Sequence, residues 1–136
     1  MSIKYWNFAL SNISSKCQIG DGSIIHPFVS IYDNVVIGER CQIEEKATLF
    51  EGVILEDDVF IGPHVVFTND PTMALERKKW APTPTLVKKG VKIGANVTIR
   101  AGIVIGEKAI IGCGSVVLNN VPAGETWAGN PAKKIK

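Results

Sequence analysis

The sequence predicts an all-β fold, a parallel β-helix built from six-residue repeats, and two columns of residues predict it. Stepping by six from Ile13 gives Ile19, Ile25, Ile31, Ile37, Ile43, Leu49, Leu55, Ile61 and Phe67. The phase breaks, resumes at Val87, and runs through Ile93, Ile99, Ile105, Ile111, Val117 and Ala123. Fifteen of these seventeen positions are Ile, Leu or Val, far too regular for chance. Two residues before the aliphatic stands a small or β-branched one: Cys17, Ser23, Val29, Val35, Cys41, Ala47, Val53, Val59 and Val65, then Val91, Val97, Ile103, Ala109, Ser115 and Val121. Residues two apart on a strand face the same way, so each hexad sends one large and one small side chain inward. A period of six keeps no face of a 3.6-residue helix apolar, which excludes the helical alternative.

Short strands joined by corners, each coil hydrogen-bonded to the next, satisfy both columns. The residue after the aliphatic is often glycine (Gly20, Gly38, Gly62, Gly94, Gly106, Gly112), and this position is expected to form the sharp corner with unusual backbone angles. The organisation expected is one domain over residues 1–136, with repeats over about 13–123, an inserted loop over about 70–84 and a C-terminal cap over 124–136. The insertion follows from the step between Phe67 and Val87, which is not a multiple of six. It reads DPTMALERKKWAPTP, is rich in proline and charge, and has no period. Loops of that length in compact repeats usually carry function, the alternative being a tolerated solvent-facing insertion.

Bulk properties bound the function. The formal net charge of +2 gives no basis for binding nucleic acid. The N-terminus lacks the apolar core of a signal peptide and no apolar run is long enough for a membrane span, so the expected compartment is the cytoplasm. Cys17, Cys41 and Cys113 form no CxxC pair and read as reduced, small apolar residues.

The repeat resembles the hexapeptide acyltransferases, whose fold is a left-handed parallel β-helix of hexapeptide repeats. The resemblance covers about residues 13–123 and supplies the left hand, three hexads per triangular coil, and a homotrimer. A second signature lies in the cap, where Val121-Pro122 leads to Ala128-Gly129-Asn130-Pro131-Ala132-Lys133, as in sugar-modifying members. Small Ala128 and Gly129 would let backbone approach a flat ring, while Lys133, Lys134 and Lys136 offer charge to a phosphate. Covering the open end of the solenoid is the other role open to this segment.

A third signature narrows the resemblance. The segment around I-G-P-H-V-V-F-T-N-D is similar to N-acetyltransferases acting on nucleotide-linked amino sugars, notably 3-amino sugars with dTDP or UDP made for bacterial surface polysaccharides such as lipopolysaccharide. By this resemblance Asn69 orients the acceptor amine, and Asp70 fixes the loop or the sugar. Arg77 and Trp80 of the insertion are expected to meet the acceptor. The Pro-Arg pair usual after this element is absent, which leaves the sugar open. His64 is a candidate general base, because imidazole titrates near neutral pH. A polar corner residue at a subunit interface is its other reading.

The resemblance further implies acetyl-CoA threaded between neighbouring prisms. Its contacts would come from Gly94, Ala95, Ala101, Gly102, Ser115, Asn130, Lys133 and Lys134, with an amide donor at the thioester oxygen. Arg100 reads equally as a phosphate contact or a solvated edge residue. His26 and Glu44, one coil apart, should form a structural pair. With only two histidines, the three-histidine zinc site of γ-class carbonic anhydrases, which share the fold, is not expected. Two other functions stay open: O-acetylation of a sugar or of serine, and a non-catalytic scaffold.

Overall fold

The computed structural model describes residues 4–5, 10–73 and 81–136. The chain coils into a left-handed β-helix with three sheets, parallel and visited in rotation up to the C-terminal hairpin. The first sheet contains Lys4–Tyr5, Ile24–Ile25, Gln42–Ile43, Phe60–Ile61, Lys92–Ile93, Ile110–Ile111, Thr126–Gly129 and Ala132–Lys134. The second holds Asn12–Ile13, Ser30–Ile31, Thr48–Leu49, Val66–Phe67, Thr98–Ile99 and Val116–Val117. The third holds Gln18–Ile19, Val36–Ile37, Val53–Leu55, Thr85–Val87 and Val104–Ile105. The corners after each sheet's strands define the first, second and third edges of a triangular prism.

Register follows the aliphatic column. Ile25 pairs with Ile43, Ile43 with Ile61, Ile61 with Ile93 and Ile93 with Ile111, and the other two faces repeat this stacking. From Ile25 to Val117 the column is buried, as is the small column beside it, while Ile13 and Ile19 at the first coil are only partly covered. Burying one such side chain contributes roughly 1.5–3 kcal/mol, so the repeated columns supply the main folding force. The polar residues in the small column find partners inside. Ser23 donates to the Gly38 carbonyl at 2.9 Å, and Thr85 accepts from the Gly102 amide at 3.0 Å. Burial pushes the Cys41 thiol up, which suits an inert core residue.

Three expectations are corrected. The glycines directly after the aliphatic do not take the unusual backbone angles; all have ordinary φ and are small because the next coil lies against them. A Cβ on Gly38 would stand 2.7 Å from the Asp57 nitrogen, and one on Gly106 would stand 2.4 Å from the Ala123 nitrogen. The left-handed corner residue is instead the third after the aliphatic: Gly22, Phe28, Asn34, Arg40, Lys46, Gly52, Asp58 and His64, then Gly90, Asn96, Gly102, Lys108 and Gly114. Second, the column does not reach Ala123, which is exposed. The last coil is two residues short, so Val121 bridges to Ile105 and Trp127 pairs with Ile111. Third, the helix starts earlier than Ile13, because Lys4–Tyr5 pairs with Ile24–Ile25.

The third edge is a ladder of charges. Arg40 reaches Asp58 and Glu39, both at 2.8 Å, and its guanidinium holds the Asp58 carboxyl below its usual range. Exposed pairs of this kind contribute little to stability. A cleft of about 390 Å³ opens beside the shortened coil, between Lys88, Val104, Glu107 and Pro122. Among the described residues, no helix is long and apolar enough to cross a membrane.

Candidate functional site

The first edge carries His64. Its corners stack as Glu44-Glu45-Lys46, Gly62-Pro63-His64, Gly94-Ala95-Asn96 and Gly112-Cys113-Gly114, followed by the cap at Ala128-Gly129. His64 is exposed, has φ of 60°, and donates its amide to the Glu45 carbonyl at 3.0 Å. The next corners lock on in the same way, Asn96 to the Pro63 carbonyl at 2.9 Å and Gly114 to the Ala95 carbonyl at 2.8 Å. Gly62 and Gly94 make this contact possible, since a Cβ on Gly94 would stand 2.8 Å from the Cys113 nitrogen. Between these bonds, the amides of Ala95 and Cys113 have no acceptor among the described residues. Between His64 and the cap this edge thus carries small corner residues and two amides with no acceptor among the described residues.

The second edge carries the insertion. Thr68-Asn69-Asp70 is the corner from which it departs, and the Thr83 amide closes its base by donating to the Asn69 carbonyl at 3.0 Å. The Asn69 side-chain amide reaches the Glu51 carbonyl at 3.5 Å. Asp70 accepts from the Thr72 amide at 2.9 Å and from its hydroxyl at 2.7 Å, a turn that shapes the first step of the loop. Ala101 and Gly102 lie on this edge too, but their amides are committed, to Thr68 Oγ1 and Thr85 Oγ1, both at 3.0 Å. Their small size serves the insertion as well: a Cβ on Gly102 would stand 2.8 Å from Thr83 Cγ2. Arg100 is exposed on the same edge. Arg77 and Trp80 lie outside the described residues.

The cap is a two-stranded hairpin, Thr126–Gly129 against Ala132–Lys134, with a cis Asn130–Pro131 bond at its turn. It closes the prism, for Ala132 is buried and Trp127 packs on the core. Ser115 is fully buried beneath it, donating to the Gly112 carbonyl at 2.6 Å and accepting the Gly129 amide at 3.1 Å. Its hydroxyl therefore holds the cap down rather than facing the track. Asn130, Lys133 and Lys134 are exposed on the hairpin, and Lys134 Nζ lies 3.6 Å from a Glu125 carboxylate oxygen.

One chain thus brings His64, Gly94, Ala95 and the cap onto the first edge, and Asn69, Asp70, Ala101 and Gly102 onto the second. His64 and Asn69 stand at opposite ends of the strand Val66–Phe67, on two different edges. His26 and Glu44 stack on the first edge as expected, 3.6 Å apart and both largely covered. Sequence reasoning missed the aromatic stack of Tyr32 on Phe50, residues eighteen apart on the second edge. No cluster of His, Cys, Asp or Glu among the described residues could hold a metal ion.

Comparison with known proteins agrees with the fold. The family model for the bacterial transferase hexapeptide, six repeats, matches residues 16–51 and 84–119, stopping on either side of the insertion. The serine acetyltransferase of Buchnera aphidicola is 33% identical over 96% of this chain. The chain spans 48% of that relative's length. A perosamine N-acetyltransferase from Caulobacter crescentus, solved with CoA and GDP-perosamine, superposes with a TM-score of 0.83 at 21% identity, covering 99% of this chain and 58% of that one. A hexapeptide-repeat acetyltransferase from Vibrio cholerae, solved with acetyl coenzyme A, gives 0.75 at 25% identity, covering 88% and 69%. With more than half of its residues inside the family model, the chain belongs to the bacterial transferase hexapeptide family.

Proposed function

We propose that the chain transfers an acetyl group from acetyl-CoA to the amine of a nucleotide-linked amino sugar, in a groove between copies of a homotrimer in the cytoplasm. The observation that carries this is the first edge. His64 opens a ladder of small corners with two unoccupied amide donors, and the ladder ends at an exposed hairpin bearing Lys133 and Lys134. Coils repeat about every 4.8 Å, so three steps from His64 to the cap span about 14 Å, a length suited to an extended pantetheine chain. The thioester would sit near His64 and the phosphates near the cap. Small Ala128 and exposed Asn130 border that end.

In this reading His64 removes a proton from the amine as its nitrogen attacks the thioester carbonyl. An outward amide, Ala95 being nearest along the ladder, donates to the oxygen as charge develops there. The N–C bond forms, the C–S bond breaks, and the imidazolium returns its proton to the departing thiolate. Asn69 orients the amine from the second edge, Asp70 holds the loop in place, and Arg77 and Trp80 complete the acceptor side. Ala101, Gly102 and Ser115 act indirectly, by fixing the insertion and the cap.

Because His64 and Asn69 occupy different edges, the site is completed by a second copy. An apolar row supports this reading: Val36, Ile54, Leu86 and Val104 lie in register down the outer face of the third sheet. Ile54 is 37% exposed in the single chain. Four apolar residues in a row on an outward face favour burial against another subunit.

A hydroxyl acceptor is the second reading, favoured by the 33% identity to a serine acetyltransferase. Thiol release from acetyl-CoA separates the two. The expected result is turnover with dTDP- or UDP-linked 3-amino sugars, and none with the matching 3-hydroxy sugars or with serine. Turnover with serine or the hydroxyl sugars alone would contradict the proposal. Failure of all three acceptors would favour a scaffold.

A further inference from the structure

The aromatic stack on the second edge has no part in the site described so far. Tyr32 and Phe50 follow the paired strands Ser30–Ile31 and Thr48–Leu49, so their rings lie one coil apart on the same corner. Their centroids are 4.8 Å apart with planes inclined by 32°, and Tyr32 remains 40% exposed. The residues above and below in this column are small and polar, Ser14 and Thr68, so neither end of the stack is sealed by a bulky neighbour. Tyr32 is exposed and Phe50 is half-buried, so the pair leaves aromatic surface on this corner open to a flat partner.

The stack is also tied to Asn69. The Asn34 side-chain amide donates to Glu51 Oε1 at 2.9 Å, while Asn69 reaches the Glu51 carbonyl at 3.5 Å. A short polar bridge thus runs from beside Tyr32 to the residue assigned to the acceptor amine. At about 4.8 Å per coil, Tyr32 lies about 10 Å from the Asn69 corner along the prism. That separation matches the ends of a nucleotide-linked sugar, with the reacting amine at one end and the base at the other.

Resting on the acceptor reading above, we propose that Tyr32 and Phe50 are the platform on which the nucleobase of the acceptor stacks. The sugar then lies toward Asn69, and the Glu51 carboxylate accepts from a ribose hydroxyl or a base N–H. The order along the edge separates the two substrates: the nucleotide approaches from the N-terminal coils, and acetyl-CoA from the C-terminal cap. Stacking reads the face of a base and not its edge, so the platform gives affinity with little choice among bases.

Calorimetric titration of the full chain with dTDP, UDP and GDP tests this, with inorganic pyrophosphate and CoA as controls. Tyr32→Ala is expected to weaken all three nucleoside diphosphates by between about 5- and 100-fold, with Phe50→Leu acting in the same direction. Tyr32→Phe keeps the ring and should stay within about twofold of the parent protein, and pyrophosphate and CoA affinities should not move. Unchanged nucleotide affinity in both Tyr32→Ala and Phe50→Leu overturns the platform alone. So does a change in sedimentation in place of a change in affinity, which would make the stack a subunit contact. A parent protein that binds none of the three nucleotides overturns both the platform and the nucleotide-linked acceptor.

Discussion

Replacing His64 with asparagine is expected to lower the rate of acetyl transfer by about 10²- to 10⁴-fold, the usual contribution of a general base. Asparagine is the informative substitution because of where His64 sits. Its φ of 60° belongs to the left-handed region, which asparagine tolerates better than most residues. The same corner position one coil on is Asn96, and two coils before the strand-equivalent corner of the second edge it is Asn34, both with φ near 60°. His64→Asn therefore removes the imidazole with the backbone left unstrained, whereas His64→Ala adds a left-handed penalty of about 1–2 kcal/mol. Thiol release under saturating acetyl-CoA reads the effect, and an unchanged thermal midpoint confirms that the fold is intact. A loss of only a few-fold would reassign His64 to binding.

The stacked glycines give the second large effect. Gly106→Ala would place a Cβ 2.4 Å from the Ala123 nitrogen, and Gly38→Ala would place one 2.5 Å from Asp57 Oδ1 and 2.7 Å from its nitrogen. These neighbours are mainly backbone held by the coil above, so they cannot move aside cheaply. Overpacking of this kind costs about 1–3 kcal/mol, which lowers the thermal midpoint of a chain this size by about 3–10 °C. Gly114→Ala is the contrast. Its Cβ would meet nothing within 4 Å, leaving only the penalty of φ at 71°. Thermal denaturation of the three variants separates the causes. A larger loss for Gly114→Ala than for Gly106→Ala would mean that backbone angle, and not close stacking, governs the corners.

The same residues show how much was legible in sequence. The columns from Ile25 to Val117 could be read because inward packing imposes a strict period, and eighteen-residue spacing paired His26 with Glu44 correctly. Glycine was ambiguous, since it serves both close approach and unusual angles. The two uses fall at different offsets from the aliphatic, and the left-handed one is marked by Gly, Asn and Asp recurring at Gly22, Asn34, Gly52, Asp58, Gly90, Asn96, Gly102 and Gly114. The shortened coil was not legible because Val121 and Ala123 both suit an inward position, and only the cap hairpin decides between them. Ala101, Gly102 and Ser115 show the matching limit at the site. A small residue looks the same in sequence whether it makes room for a ligand or for the neighbouring chain segment. The insertion leaves from the FTND corner, and a linear motif does not reveal that His64 and Asn69, five residues apart, lie on different edges.

That division between edges is tested most directly by assembling two inactive chains together. His64→Asn and Asn69→Ala would each inactivate every site of a uniform trimer. In a ring whose sites pair the first edge of one copy with the second edge of the next, random mixing restores about a quarter of the sites. The measurement is thiol release by co-assembled His64→Asn and Asn69→Ala chains, with mixed trimers verified by mass. Recovery of about a quarter of the parent rate is the predicted result. No recovery in verified mixed trimers would place His64 and Asn69 of one chain in the same site and contradict the shared groove.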